Sequence, residues 1–240
     1  MRRRLTRALT LATVALGVGG CLPAPVTQEA RAIADLYTIL MGLAAIVAVI
    51  VLGLATFMIL RYRRRGDDTL PPQDHGNLRF EAVWTVIPII TIVVLLVLTV
   101  TTLQRVDAVV DGGSAQVKVD VQAFRWGWRF AYPDQGILVE GVTPDGPELV
   151  VPVGEAVQVT LTGNDVVHSF FVPQFLFKRD AIPGRRNVFG FTVDTAGTYR
   201  GQCAEFCGVG HSKMPFTVRA VPRAEFDAWL AAAPRGSQAP

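Results

Sequence analysis

Two cysteines, a histidine and a methionine crowd into residues 203–214, inside the run GQCAEFCGVGHSKMPF. Several chemistries are open to such a set. A Cys203–Cys207 disulfide would suit an oxidising compartment. It would close a very small loop, stabilise little, and leave His211 and Met214 without a part. Zinc takes two Cys and two His, but only one His is near, so His168 would have to be recruited from a distance, and zinc gains nothing from a thioether. Copper is selected by soft thiolate and thioether donors and accepts imidazole. The mononuclear blue-copper set is one Cys, two His and a weak Met, and this sequence holds that set with one Cys to spare. Two thiolates four residues apart on one loop can bridge two metal ions, each ion then taking one His and one weaker ligand.

The elements that must position these donors follow from composition. Half of the 240 residues are hydrophobic, too many for an ordinary soluble domain, and the excess lies in three N-terminal blocks. The first, MRRRLTRALTLATVALGVGGC, has a basic start, a short apolar middle and small residues at its end, the layout of a secretory signal over residues 1–20. Val18-Gly19-Gly20-Cys21 is similar to the lipobox of bacterial lipoproteins, which predicts cleavage before Cys21 and lipidation there. An exported segment, 21–36, follows. Residues 37–60 and 82–104 carry no charge and no polar face, and each exceeds the ~20 residues that cross a bilayer. They are predicted to be transmembrane helices, with Pro88 tolerable near the end of the second.

The loop between them, 61–81, opens with Arg61, Arg63, Arg64 and Arg65, so the positive-inside rule makes it cytoplasmic and both termini extracytoplasmic. His75, alone in that loop, reads as solvated. From residue 106 onward Lys and Arg number 12 and Asp and Glu 14, so the chain's net charge of +3 comes from the signal and the loop. That is a topology signal and excludes a nucleic-acid partner. Outside the signal with its Cys21, the spans and the loop, the chain has two His, two Cys and one Met. All five fall in the proposed site.

Residues 113–222 read as about eight short β-rich runs bounded by turn residues, among them 116–122, 148–153, 156–161, 189–193 and 216–221. Such a pattern predicts an extracytoplasmic Greek-key sandwich or barrel. An amphipathic helix with Phe226, Trp229 and Leu230 on one side opens the last segment, 223–240, before a flexible tail. No C-x-x-C-H motif for attached haem occurs.

With those elements in place the loop acquires a relative. C-A-E-F-C-G-V-G-H-S-K-M resembles the binuclear copper (CuA) loop of subunit II of haem–copper cytochrome c oxidases, and DVVHSFFVPQFLFKRDAIPGR resembles the same family's upstream block. The resemblance spans nearly the whole mature chain and implies a two-helix transmembrane hairpin followed by an all-β cupredoxin-like Greek-key sandwich or barrel. It implies that Cys203 and Cys207 bridge two coppers, that His168 and His211 bind one each, that Met214 is a weak ligand to one copper, and that the Glu205 backbone carbonyl is a ligand to the other. The Glu205 carboxylate would reach a Mg or Mn ion shared with subunit I. Trp126, in FRWGWRF, falls on the tryptophan that receives electrons from cytochrome c, although Gly127 stands where many members have an aromatic residue. Two tryptophans one residue apart can also be one buried face of a strand. Glu81, in EAVWTVIP, matches a carboxylate at the cytoplasmic mouth of a proton-uptake channel of subunit I. Asp180 and Arg185 match the block between the copper ligands and read as ligand-supporting or subunit-interface residues.

The function implied is that of the oxidase subunit where electrons enter. It would take them from cytochrome c and pass them to haem in subunit I, where O2 is reduced to water with proton pumping, alongside other oxidase subunits and membrane lipid. Two readings compete: a copper-free quinol-oxidase-type or structural subunit II, which would lack these ligands, and a copper-handling lipoprotein, which would need neither two spans nor the Glu81 motif. A nitrous oxide reductase carries a similar loop but appends it to a large catalytic domain for which this chain has no room.

Overall fold

Helices form where apolar runs continue unbroken by Gly and Pro clusters. In a computed structural model, which describes residues 22–63, 73, 76–111, 115–142, 144–233 and 235, these are α1 (Gln28–Arg61) and α2 (Leu78–Asp111). The signal region, Cys21 and His75 lie outside the described residues. Each helix has 34 residues, which at ~1.5 Å per residue is about 50 Å, longer than the ~30 Å hydrocarbon layer. Among the described residues these are the two helices long and apolar enough to cross a membrane. Both outrun the uncharged stretches, because Gln28–Ala34 and Arg105–Asp111 are also helix-compatible. Asn77 starts α2, its side-chain oxygen accepting from the Arg79 N–H at 3.0 Å. Glu81 sits exposed in the first turn. Residues 35–102 form one compact unit; the remainder forms a second.

The second unit is a two-sheet sandwich. One sheet runs β3 (Ile137–Val142), β2 (Gly127–Tyr132), β1 (Val117–Phe124), β5 (Ala156–Gly163), β8 (Asn187–Thr192). The other runs β4 (Glu148–Pro152), β10 (Pro215–Val221), β9 (Gly197–Cys203), β6 (His168–Phe171), β7 (Lys178–Ala181). Pairing is antiparallel except for β1 with β5 and β4 with β10. Along β1, Val117, Val119, Val121 and Ala123 are buried while their neighbours face outward, the period-2 pattern of a half-buried strand. The buried interior is aromatic: Trp128, Phe130, Phe170 and Phe216 touch one another, with Phe170 stacked on Phe216 at 4.5 Å between ring centres. A final helix, α3 (Arg223–Ala232), packs Phe226 and Trp229 against the sandwich. This is the cupredoxin-like architecture that the sequence predicts, with ten strands rather than about eight. The short β7, Lys-Arg-Asp-Ala, carries little strand signal because three of its four residues are charged.

One packing relation is not anticipated by the sequence. The stretch before α1 and the first turn of α1 dock on the sandwich: Thr27 bridges Val193, the Asp194 N–H donates to Val26 O, and the buried Glu29 carboxylate accepts the Thr192 N–H at 3.0 Å. Thr27 Oγ1 caps the helix by accepting from the Ala30 N–H.

Candidate metal centre

Three structural features converge at one end of the sandwich. His168 is the first residue of β6, Cys203 is the last residue of β9, and β6 pairs with β9 through Phe170 opposite Cys203. The chain then leaves β9, forms a loop and a 3-10 turn at His211–Lys213, and returns as β10 at Pro215. That connection supplies Cys203, Glu205, Cys207, His211 and Met214. The Cys203 N–H donates to Met214 O and the Ala204 N–H to Ser169 O, closing the loop on itself and onto β6. Beneath it the Trp128 indole N–H donates to Met214 O at 3.3 Å. Trp128 is therefore core, whereas Trp126 lies in the turn between β1 and β2, so the two tryptophans do not form one strand face.

The donor atoms meet. Cys203 Sγ lies 3.8 Å from His168 Nδ1 and 3.3 Å from the Glu205 carbonyl oxygen. Cys207 Sγ lies 3.6 Å from His211 Nδ1 and 4.0 Å from Met214 Sδ. The sulfurs are 3.9 Å apart and both cysteines are free, far beyond the ~2.05 Å of a disulfide. His168 and the two cysteines form the one metal-capable group of His, Cys and acidic side chains found among the described residues, with donor atoms within 4.8 Å of one another. The chemistry of this set, thiolates, imidazoles and a thioether with all five side chains buried or half-buried, fits a soft metal and has no hard oxygen cage.

Electrostatics already favour one thiolate. Burial pushes the Cys203 thiol up, but hydrogen bonding by His168, by the Glu205 and Ser169 backbone and by His211 overrides it and brings Cys203 down to about 6. Cys207 is pushed up to about 12 by burial and by the charge on Cys203. Burial disfavours the His168 cation, yet Cys203 and Asp165 together raise its pKa.

Asp165 is the residue that sequence reasoning missed. Its Oδ1 meets His168 Nε2 at 2.9 Å and accepts the Val166 N–H at 2.7 Å. Its Oδ2 accepts the Arg125 N–H at 2.9 Å and the Arg125 Nε–H at 3.1 Å. Burial raises this carboxyl, but these donors outweigh it and hold it well below the usual carboxylate range. Asp165 opens the DVVHSFF block that carries the resemblance, but that block by itself gave it no role.

Trp126 stands against the metal loop. Its indole N–H donates to Cys207 O at 3.3 Å, and its ring lies over Gly208 and Gly210, where a Cβ on Gly210 would overlap the indole. Gly127 is equally constrained: a Cβ there would come within 2.6 Å of Gly141 O and 2.9 Å of the Phe124 ring. Phe124 thus covers the position at which an aromatic residue was expected, with the Arg129 guanidinium 5.9 Å from its centre. The Glu205 carboxylate is bridged through Lys178 Nζ to Asp180, both at 3.0 Å. Arg185 is exposed in the turn after β7, and Glu81 belongs to the other unit. A cleft of about 280 Å³ lined by Arg200, Gln202, Ser212 and Pro215 opens onto Cys203, His211 and Met214.

Fold and donor set together define a class: a membrane protein with two spans carrying a β-sandwich that gathers soft donor side chains at the loop between its last two strands. Residues 142–221 match the family model described as cytochrome c oxidase subunit II, periplasmic domain, and residues 16–104 match that of its transmembrane domain. Cytochrome c oxidase subunit 2 of Alkalihalophilus pseudofirmus is 36% identical over 94% of this chain and 67% of its own length. The probable subunit 2 of Streptomyces avermitilis is 34% identical over 92% and 84%. Among solved structures, the periplasmic domain of subunit II from Bradyrhizobium japonicum is 37% identical over 50% of this chain and 94% of its own, with a TM-score of 0.47. The chain belongs to the cytochrome c oxidase subunit II family, and is therefore a subunit of an oxidoreductase complex.

Proposed function

We propose that this chain is the subunit through which electrons enter a terminal cytochrome c oxidase of a bacterial plasma membrane. It takes them from cytochrome c on the extracytoplasmic side and passes them to haem in subunit I, where O2 is reduced to water with proton pumping. The observation that carries this reading is the pairing of donors: each sulfur has an imidazole nitrogen and a weaker donor within 4.0 Å. Cys203 and Cys207 would bridge two copper ions, with His168, His211, Met214 and the Glu205 carbonyl completing the set. Copper bound by these donors would supply a one-electron couple. The chain's own part is to hold these donors rigid, so that little rearranges when the charge changes. The short loop bonds to β6 and the aromatic floor under Met214 do this. Trp126, hydrogen-bonded to the Cys207 carbonyl, would be the group that faces the donor. Glu205, half-exposed and linked by Lys178 to Asp180, would carry the Mg or Mn shared with subunit I. Glu81 would stand at the proton-uptake mouth. Residues 1–20 would be removed and Cys21 lipidated, which the intact mass of the purified chain reads directly.

Copper analysis and electron paramagnetic resonance of the full chain in detergent test the reading. Two coppers per chain sharing one unpaired electron are expected; one zinc, or an isolated type-1 copper, sinks it. Trp126→Ala should keep both coppers and slow reduction by cytochrome c by roughly 10-fold or more, as loss of a positioned transfer group does.

A further inference from the structure

The contacts around Trp126 and His168 form a closed circuit. Trp126 is bonded to Cys207 through its indole N–H. Its chain neighbour Arg125 is bonded through backbone and guanidinium to one oxygen of Asp165. The other oxygen of Asp165 meets the Nε2 of His168, whose Nδ1 faces Cys203. A neutral imidazole carries one ring proton, and a partner that accepts from one nitrogen leaves the other as a lone-pair donor. Asp165 can accept a hydrogen bond from the Nε2–H, because it is a carboxylate that the donors on both its oxygens keep ionised. No backbone carbonyl or hydroxyl could serve the imidazole and the Arg125 fork at once, since neither offers two separately directed oxygens.

We infer that Asp165 is a positioning residue with two arms. One arm fixes the orientation of His168 toward the metal, and the other fixes the turn that sets Trp126 against Cys207. The inference rests on the copper reading only for its first arm. A surface ion pair alone does not explain the geometry, because the Arg125 backbone N–H and the Val166 N–H share the same carboxylate, and because its imidazole partner is fully buried.

The experiment compares the full-length wild type with Asp165→Asn and Arg125→Ala in detergent, copper-loaded and metal-free. Asp165→Asn has only one oxygen and must turn its amide N–H₂ toward one set of donors. It should hold copper at least about 10-fold more weakly against a chelator and shift the visible and paramagnetic-resonance signature, as loss of a ligand-orienting partner does. Arg125→Ala, which keeps the backbone bond and the imidazole bond, should leave that signature in place and change copper retention by no more than about 5-fold. Asp165→Asn with wild-type retention and signature would overturn the first arm. So would an Arg125→Ala change as large as that of Asp165→Asn, since Asp165 would then act only as an ion-pair partner. The second arm is read without metal, by amide hydrogen exchange at Arg125 and Trp126. Faster exchange in Asp165→Asn is expected, and unchanged exchange overturns it even if that variant loads no copper. A wild type without a two-copper signature would sink the proposed function alone, and the exchange measurement would still decide the turn.

Discussion

At the scale of single residues, what sets this centre apart is that its two chemically identical thiols are not equivalent. Cys203 shares its surroundings with His168, His211 and backbone groups, and is brought down to about 6. Cys207, buried beside a charge of the same sign, is held at about 12. The thiolate is the reactive form, and Cys203 also lines the cleft while Cys207 does not. In the metal-free full chain at neutral pH, a small alkylating reagent should therefore modify Cys203 first. The sign follows from the lowered value: the Cys203 rate should fall as pH drops through about 6, where the sulfur takes up its proton, and should be nearly flat above it. Peptide mapping after brief labelling reads both outcomes. Equal labelling of the two sulfurs at neutral pH would refute the asymmetry.

At the scale of elements, the loop between β9 and β10 and the turn between β1 and β2 are built to fit each other. The contact needs two positions without side chains. Gly208 has φ +114°, a conformation that side-chain-bearing residues rarely adopt, and Gly210 has the indole where its Cβ would be. Gly210→Ala should push Trp126 off the loop. The expected destabilisation is about 1–3 kcal/mol from overpacking, seen in urea unfolding, together with a shift of tryptophan emission in the folded state. If stability and emission both stay unchanged, the contact between turn and loop is not tight. Gly127 obeys the same logic on the other side of the turn. Its absent side chain leaves room for Phe124, so the departure from an aromatic at this position is compensated within the hairpin.

At the scale of the whole molecule, the start of α1 and the residues just before it are part of the sandwich's own unit. Glu29 accepts the Thr192 N–H in a buried setting, whereas Arg31 pairs with Asp194 at the surface at 2.7 Å. Leaving a buried N–H unpaired costs about 1–3 kcal/mol, while an exposed ion pair contributes ~0–1 kcal/mol. Glu29→Ala should thus destabilise the sandwich clearly and Arg31→Ala barely, by urea unfolding of the full chain followed through tryptophan fluorescence. The reverse order would mean that the docked segment is held by its surface charge.

How much of this was legible in the residues can be judged case by case. The two spans were, because a run of apolar residues longer than the bilayer requires has few soluble alternatives. So were β1, β4, β5 and β10 and the closing helix, whose hydrophobic periodicities are strong and local. The soft donors around the loop after β9 were legible as well, since such residues are rare and closely spaced there, whereas His168 is brought to them by the pairing of β6 with β9. Three features were decided only by the tertiary structure. Asp165 lies 40 residues from Arg125 in the chain, and Glu29 lies 163 from Thr192. Trp126 was separated from Trp128 by a turn that the sequence left readable as one strand. Each depends on which distant backbone comes to lie beside which side chain, and a contact between remote segments leaves no periodicity behind. The sequence by itself determined what chemistry the site can do; the packing of two sheets decided which groups orient it.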